Sequence, residues 1–260
     1  MERQPGQANI FASASDMRSA GQQAVARDLQ HMRNKMANTE EYMCALAIRG
    51  VLTYSVDEED HFQITYGKPG GHTYALAAGQ VWDHADPLVP RPEEDILTAN
   101  QLVNDATGMN ITDAIMDGAT AKALRKVMVK QGTNLLDISN LSVGAITISA
   151  AIGTSGAKFF GTLAGVRLWE YSRTVKVNGV STALIRPKYV EFVTASPEAE
   201  NIMYYGSITD WDVPGGLFVG ERFTKSWIEK DPSVLVHLAQ TRPLPVPRRP
   251  DTTVSAQVLT

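Results

Sequence analysis

The residues best placed to do chemistry are Asp83, His84 and Asp86, in the hexapeptide WDHADP. Two carboxylates beside an imidazole are the donor set for a divalent ion or for an oriented proton transfer. Adjacent side chains diverge in direction, however, and Pro87 closes the run as an ordinary turn would. No third ligand and no positioned nucleophile accompanies them, so a small-molecule hydrolase built here is a remote alternative. Asp57, Glu58, Glu59 and Asp60 form a denser acidic run, but the spacing of a calcium loop is absent. A solvated hairpin tip accounts for them. Gly153-Thr154-Ser155-Gly156 is too short for a phosphate loop and lacks its lysine, so it reads as a loop before Phe159 and Phe160. Walker, dinucleotide, HExxH and GxSxG patterns are all missing. Cys44 stands alone, which excludes an intrachain disulfide and a Cys-rich metal site; YMCALAIRG reads as a small buried residue on a helix. The sequence therefore predicts no enzyme, no catalytic cofactor and no structural metal.

The whole chain sets the frame for that result. Its 260 residues suffice for one large domain or two closely joined ones. Hydrophobic residues make up 43% and charged residues 20%, a globular balance that argues against global disorder. With 24 basic against 28 acidic residues the net charge is -4, too small to predict strong attraction to nucleic acid or an anionic membrane. A DNA-binding module is thus a minority alternative. No apolar run is long enough to span a bilayer as a helix, and the opening MERQPGQANIF lacks the apolar segment of a signal peptide.

The first element is a long helix, expected over Asp16 to Arg49. Met17, Ala20, Ala24, Leu29, Met32, Met36, Met43 and Leu46 recur at mostly helical spacing, Ser15 or Asp16 can cap the start, and Gly50 marks the end. Such a helix would reach about 50 Å and needs a surface to lie along. Val51 to Tyr54 and His61 to Tyr66 read as a hairpin, and Pro87, Pro90 and Pro92 as a fixed connector. Pro92 to Val103 and Thr112 to Met128 read as two further helices. Lys188 to Thr194 reads as a strand within a mixed region. In the tail, Pro243, Pro245, Pro247 and Pro250 suggest one long edge strand with a polyproline-like interruption.

The order of these features carries more than any catalytic motif. YYGSITDWD is followed by GERFTKSWIEKDPSVLVHLAQ, with a W-x-x-x-D-P turn at Trp227 to Pro232. A QTRPLPxxxxPD pattern comes next, at Gln240 to Leu244 and Pro250-Asp251. Together with the helix ending MCALAIRGVLTYS, these segments resemble the major capsid proteins of lambda-like tailed bacteriophages, the phage capsid protein E family. The resemblance runs from about Asp16 to Leu259. It implies an α+β Hong Kong 97-type fold, with a long backbone helix and an elongated P-domain sheet joined to an axial A domain. Residues 1–92 would hold the N-terminal segment, long helix and first part of the P domain; residues 93–234 mainly the A domain; residues 235–260 a terminal P-domain strand. An N-terminal arm and extended loop, usual before the long helix in relatives, are expected to be absent or truncated.

The implied function is structural: a major capsid protein self-associating into hexamers and pentamers that form the icosahedral head. The implied location is the virion, after assembly in the bacterial host cytoplasm. Its partners would be copies of itself, with scaffolding, portal and decoration proteins, and packaged double-stranded DNA held by non-specific proximity, without a membrane. A capsid-associated decoration or connector protein is the alternative. Candidate subunit contacts are Arg27, Arg33, Arg49, Arg242, Arg248 and Arg249, as planar donors for paired or rim carboxylates. Trp211, Phe223 and Trp227 are candidates for packing near subunit boundaries.

Overall fold

The computed structural model describes residues 14–56, 59–132, 156–177, 179–231 and 233–260. Asp57 and Glu58 of the acidic run, Gly153 to Ser155 of the glycine loop and Pro232 of the tail turn lie outside the described residues.

The long helix is present as α1, Ala14–Ile48, and ends two residues before Gly50, whose φ of 90° favours glycine. A side chain there would also collide with Lys68, since a Cβ on Gly50 would stand 2.8 Å from the Lys68 Cβ. The expected hairpin follows as β1, Val51–Val56, and β2, Glu59–Thr65, paired antiparallel. After a single turn of 3-10 helix comes β3, Thr73–Ala75, then α2, Pro92–Thr107. Pro92 opens α2 where its missing N–H costs nothing, and Glu93, Glu94 and Asp95 face the positive end of the helix dipole.

The expected helix over Thr112 to Met128 is corrected. Asp113–Met116 is a strand, β4, and only Gly118–Gln131 is helical, as α3. Asp117 divides them: its carboxylate accepts the backbone N–H groups of Ala119 and Thr120, capping α3. The chain continues through β5 Lys158–Leu163, β6 Val166–Glu170, β7 Thr174–Val177, β8 Val180–Ala183 and β9 Tyr189–Val193. It ends with β10 Asn201–Tyr205, β11 Ile208–Thr209, β12 Leu217–Phe218, β13 Phe223–Lys230, β14 Ser233–Gln240, β15 Pro243–Pro247 and β16 Thr253–Gln257. The single interrupted tail strand is thereby corrected to three. Pro243, Pro245 and Pro247 sit in β15, whose only partner among the described residues is β10 in a two-stranded sheet, so their missing donors leave no ladder incomplete on a second side.

The chain forms two compact units. The larger comprises residues 41–204 and 244–260 and is built on a six-stranded sheet in the order β3-β16-β9-β4-β6-β5. β16 pairs parallel with β3 and antiparallel with β9, so the last strand of the chain is an interior one. Alternation then assigns the faces. Ala114, Met116, Leu168, Phe192 and Val254 pack with Ile96, Val103 and Leu124 of α2 and α3 in the main core. The Trp82 indole is buried beside it and donates to Asp95 at 2.8 Å. The opposite sheet face carries Asp113, Ile115, Trp169, Glu191 and Ser255.

The smaller unit comprises the described residues of 14–40 and 205–243. It contains most of α1, the β11–β12 pair and the β13–β14 hairpin, whose register runs from Phe223↔Gln240 to Lys230↔Ser233. Arg222 reaches Glu40 of the helix at 3.3 Å.

Candidate functional site

Six of the nine sequence-derived contact residues belong to the smaller unit: Arg27, Arg33, Trp211, Phe223, Trp227 and Arg242. Arg27 and Arg33 stand exposed on α1. Trp211 occupies the turn after β11 and is 89% exposed. That turn is held by its own chemistry, because the Asp210 carboxylate accepts the Asp212 N–H at 2.8 Å and pairs with Lys225 at 3.1 Å. These bonds hold Asp210 below the ordinary carboxylate range. The fold thus fixes the backbone and leaves the indole in water.

Trp227 lies on β13, partly exposed, with the Lys225 ammonium 5.8 Å from its ring. Phe223 points inward, buried and 5.2 Å from the Phe218 ring. Arg242 is exposed, and its guanidinium donates to the Ser207 carbonyl at 2.8 Å.

Sequence reasoning missed the apolar residues that accompany Trp211 and Trp227. Val219, Ile228 and Leu235 are 81%, 69% and 53% exposed, and Ile228 and Leu235 are cross-strand partners near the hairpin tip. Trp227 and Ile228 are adjacent, so apolar side chains emerge on both faces of one strand. The signal was available as SWIEKDPSVLV, where apolar residues occupy both parities of a strand. A two-sided apolar ribbon needs covering on two sides, and among the described residues the hairpin has no third strand.

The other three candidates lie in the larger unit. Arg49 turns inward, donating to the backbone carbonyls of Leu184 and Ala183. Arg248 pairs with Glu200 at 3.2 Å and donates to the Tyr204 hydroxyl at 3.1 Å. Arg249 lies 3.8 Å from Asp251. These two are occupied within the chain, at positions where surface pairs are worth less than about 1 kcal/mol.

The larger unit also has an open apolar groove of about 580 Å³ between the end of α1 and the second sheet face. Ile48, Ile115, Trp169, Tyr171 and Leu184 line it, with Cys44, half-buried, at its edge. At its rim Asp113 accepts from Arg167 and from the Trp169 indole, each at 2.7 Å. This Asp is saturated and positions the sheet's second face. Asp83 accepts the Thr260 hydroxyl at 2.6 Å and its N–H at 3.1 Å, while His84 Nδ1 accepts the Asp86 N–H at 3.1 Å. Asp83 is thus tied to Thr260, 177 residues along the chain, and His84 and Asp86 to their own turn. Among the described residues no three His, Cys, Asp or Glu side chains converge as a metal site, and no helix is long and apolar enough to cross a membrane.

Comparison with known proteins gives the chain its relatives. Residues 4–258 match the family model described as phage major capsid protein E. A crystal structure of an Escherichia coli CFT073 prophage protein, provisionally named a capsid protein, superposes with a TM-score of 0.79 at 20% identity. It covers 99% of this chain and 73% of its own. A phage-related protein from Bordetella bronchiseptica RB50 superposes with a TM-score of 0.50 at 14% identity, over 89% of this chain and 66% of its own. No curated protein sequence matches the chain.

Proposed function

The chain belongs to the phage major capsid protein E family and has a structural role in the phage capsid, and from that premise we infer that its copies assemble into hexamers and pentamers. Its α+β fold is of the Hong Kong 97 capsid type. The observation that carries the assembly reading is the set of large apolar side chains that the smaller unit leaves exposed among the described residues: Trp211, Val219 and the Ile228–Leu235 pair. Burying one large apolar side chain contributes about 1.5–3 kcal/mol, so a few such contacts per subunit, repeated around a ring, sustain a closed shell. Arg27, Arg33 and Arg242 would supply exposed rim charge, adjusting rate and register rather than carrying the affinity.

The same reading assigns the long helix and the β13–β14 hairpin to the peripheral P region. This departs from the sequence-derived division, which gave residues 93–234 mainly to the axial A region and 235–260 to a P-region strand: the A region would instead take most of residues 93–204 together with β16, which is held between β9 and β3. The shell would form in the host cytoplasm and enclose double-stranded DNA without reading its sequence, with scaffolding, portal and decoration proteins as further partners.

Imaging of the purified chain, alongside a Trp211→Ser/Ile228→Ser variant, tests the proposal. The expected result is closed particles containing many copies of the parent chain, and a variant that stays folded by circular dichroism yet remains unassembled. A particle in which isolated copies decorate a continuous shell of another protein would overturn it, as would a variant that assembles like the parent.

A further inference from the structure

One cluster in the larger unit gathers three partly buried cations about a single carboxylate. Glu191 is 1% exposed and lies on the sheet face opposite the main core. Its Oε1 accepts from Arg186 Nε at 3.0 Å, and its Oε2 accepts the Ser255 hydroxyl. Lys68 Nζ donates to that Ser255 oxygen at 2.7 Å and to the Ile48 carbonyl at 3.2 Å. The Arg49 guanidinium, anchored on the Leu184 carbonyl, interacts electrostatically with both Glu191 and Arg186. Three cations thus surround a single carboxylate.

Two of their donors are also unused. Arg49 Nε and Arg186 Nη2 are buried without a hydrogen-bond acceptor among the described residues. Arg186 Nη2 does come within 3.0 Å of Glu191 Oε1, but off the hydrogen-bonding direction. Buried donors are ordinarily satisfied, and buried charges are ordinarily matched. Neutral carbonyls already serve Arg49 and Lys68, so the missing partner is a negatively charged acceptor. Burial pushes Lys68 down to about 8, with the neighbouring Arg186 adding to the effect and Glu191 opposing it. The cluster is not sealed: the Arg186 side chain is 28% exposed and stacks with its guanidinium carbon 4.1 Å from the Tyr189 ring centre. That stacking holds its planar fork in one orientation.

We propose that Arg49, Lys68 and Arg186 form a binding site for one oxyanion group, a phosphate or a carboxylate. A guanidinium pair with an ammonium beside it matches the charge and the divergent oxygens of such a group, whereas a neutral ligand leaves the charge unmatched. Its source is either free anion from solution or, on the assembly reading above, an acidic side chain of a second copy of this chain.

The test titrates the full, unassembled chain with phosphate at constant ionic strength held by chloride. Thermal midpoint and the arginine Nε–H resonances are read together. The expected result is a saturable rise in midpoint and a saturable shift of the Arg49 Nε–H signal, both lost in Arg49→Gln. Glu191→Gln removes the competing carboxylate and lowers the half-saturating phosphate by about tenfold or more. A network that is only structural predicts loss of stability in that variant and no gain in binding. The resonance shift in the unsubstituted chain decides the matter even where a variant fails to fold. A midpoint that follows ionic strength without saturating, with an unmoved Arg49 signal, overturns the proposal. Repeating the titration on closed particles distinguishes the sources: a response lost on assembly identifies a neighbour's carboxylate, and a response retained identifies a solution anion. Failure to form particles sinks the assembly reading and leaves the first titration standing.

Discussion

Lys68 ties the chemistry of one side chain to the stability of the whole unit. Its ammonium falls from 10.5 to about 8 because it is buried. Between those values the unfolded chain holds more protons at this site than the folded chain does, so stability rises with pH. This contribution is complete above about pH 10.5 and is lost as pH falls through about 8; its span is about 3 kcal/mol. Urea unfolding of the wild type and of Lys68→Met in phosphate-free buffer checks it: the difference in unfolding free energy should rise over that window in favour of the wild type, and a flat difference contradicts it. Little of this was legible in the sequence. Arg49 was recognisable as an arginine at a helix end, but its carbonyl partners lie 134 and 135 residues away at Ala183 and Leu184. Trp211 was singled out by residue type, a large aromatic between Asp210 and Asp212, and its exposure could not be read from that type.

Among the elements, legibility followed the strength of the local signal. α1 was readable to within two residues at its start and one at its end because its period and terminal glycine agree, although Ser15 and Asp16, expected to cap it, lie inside the helix. The stretch after Thr112 was misread because Ala114, Leu124 and Val127 fit a helical period by accident. Ala114 and Met116 are buried as alternate residues of a strand, on the same core that buries Leu124 of α3. The sheet, not local preference, sets β4. The boundary signal was Asp117 followed by Gly118, a cap rather than a mid-helix pair. Asp117→Ala removes the acceptor for Ala119 and Thr120 N–H and should cost about 1 kcal/mol, read as a lowered urea midpoint with unchanged slope. A midpoint equal to the parent's would show that the sheet alone fixes the start of α3.

At the scale of the molecule, the two-stranded β13–β14 ribbon has both edges unpaired among the described residues, and its tip presents Ile228 and Leu235 to water. Such a ribbon exchanges backbone hydrogens readily while alone. Hydrogen exchange should therefore slow in 223–240 on particle formation, while the six-stranded sheet changes little; unchanged exchange in the ribbon would place the subunit contacts elsewhere. The sheet order carries a different consequence, in time rather than space. β16 is wedged between β3 and β9, so that sheet stays two-part until residue 257 has left the ribosome. At roughly 5–20 residues per second, the translation gap between β9 and β16 lasts about 3–13 seconds. A nascent chain waiting through it holds β3 apart from the other strands of its sheet.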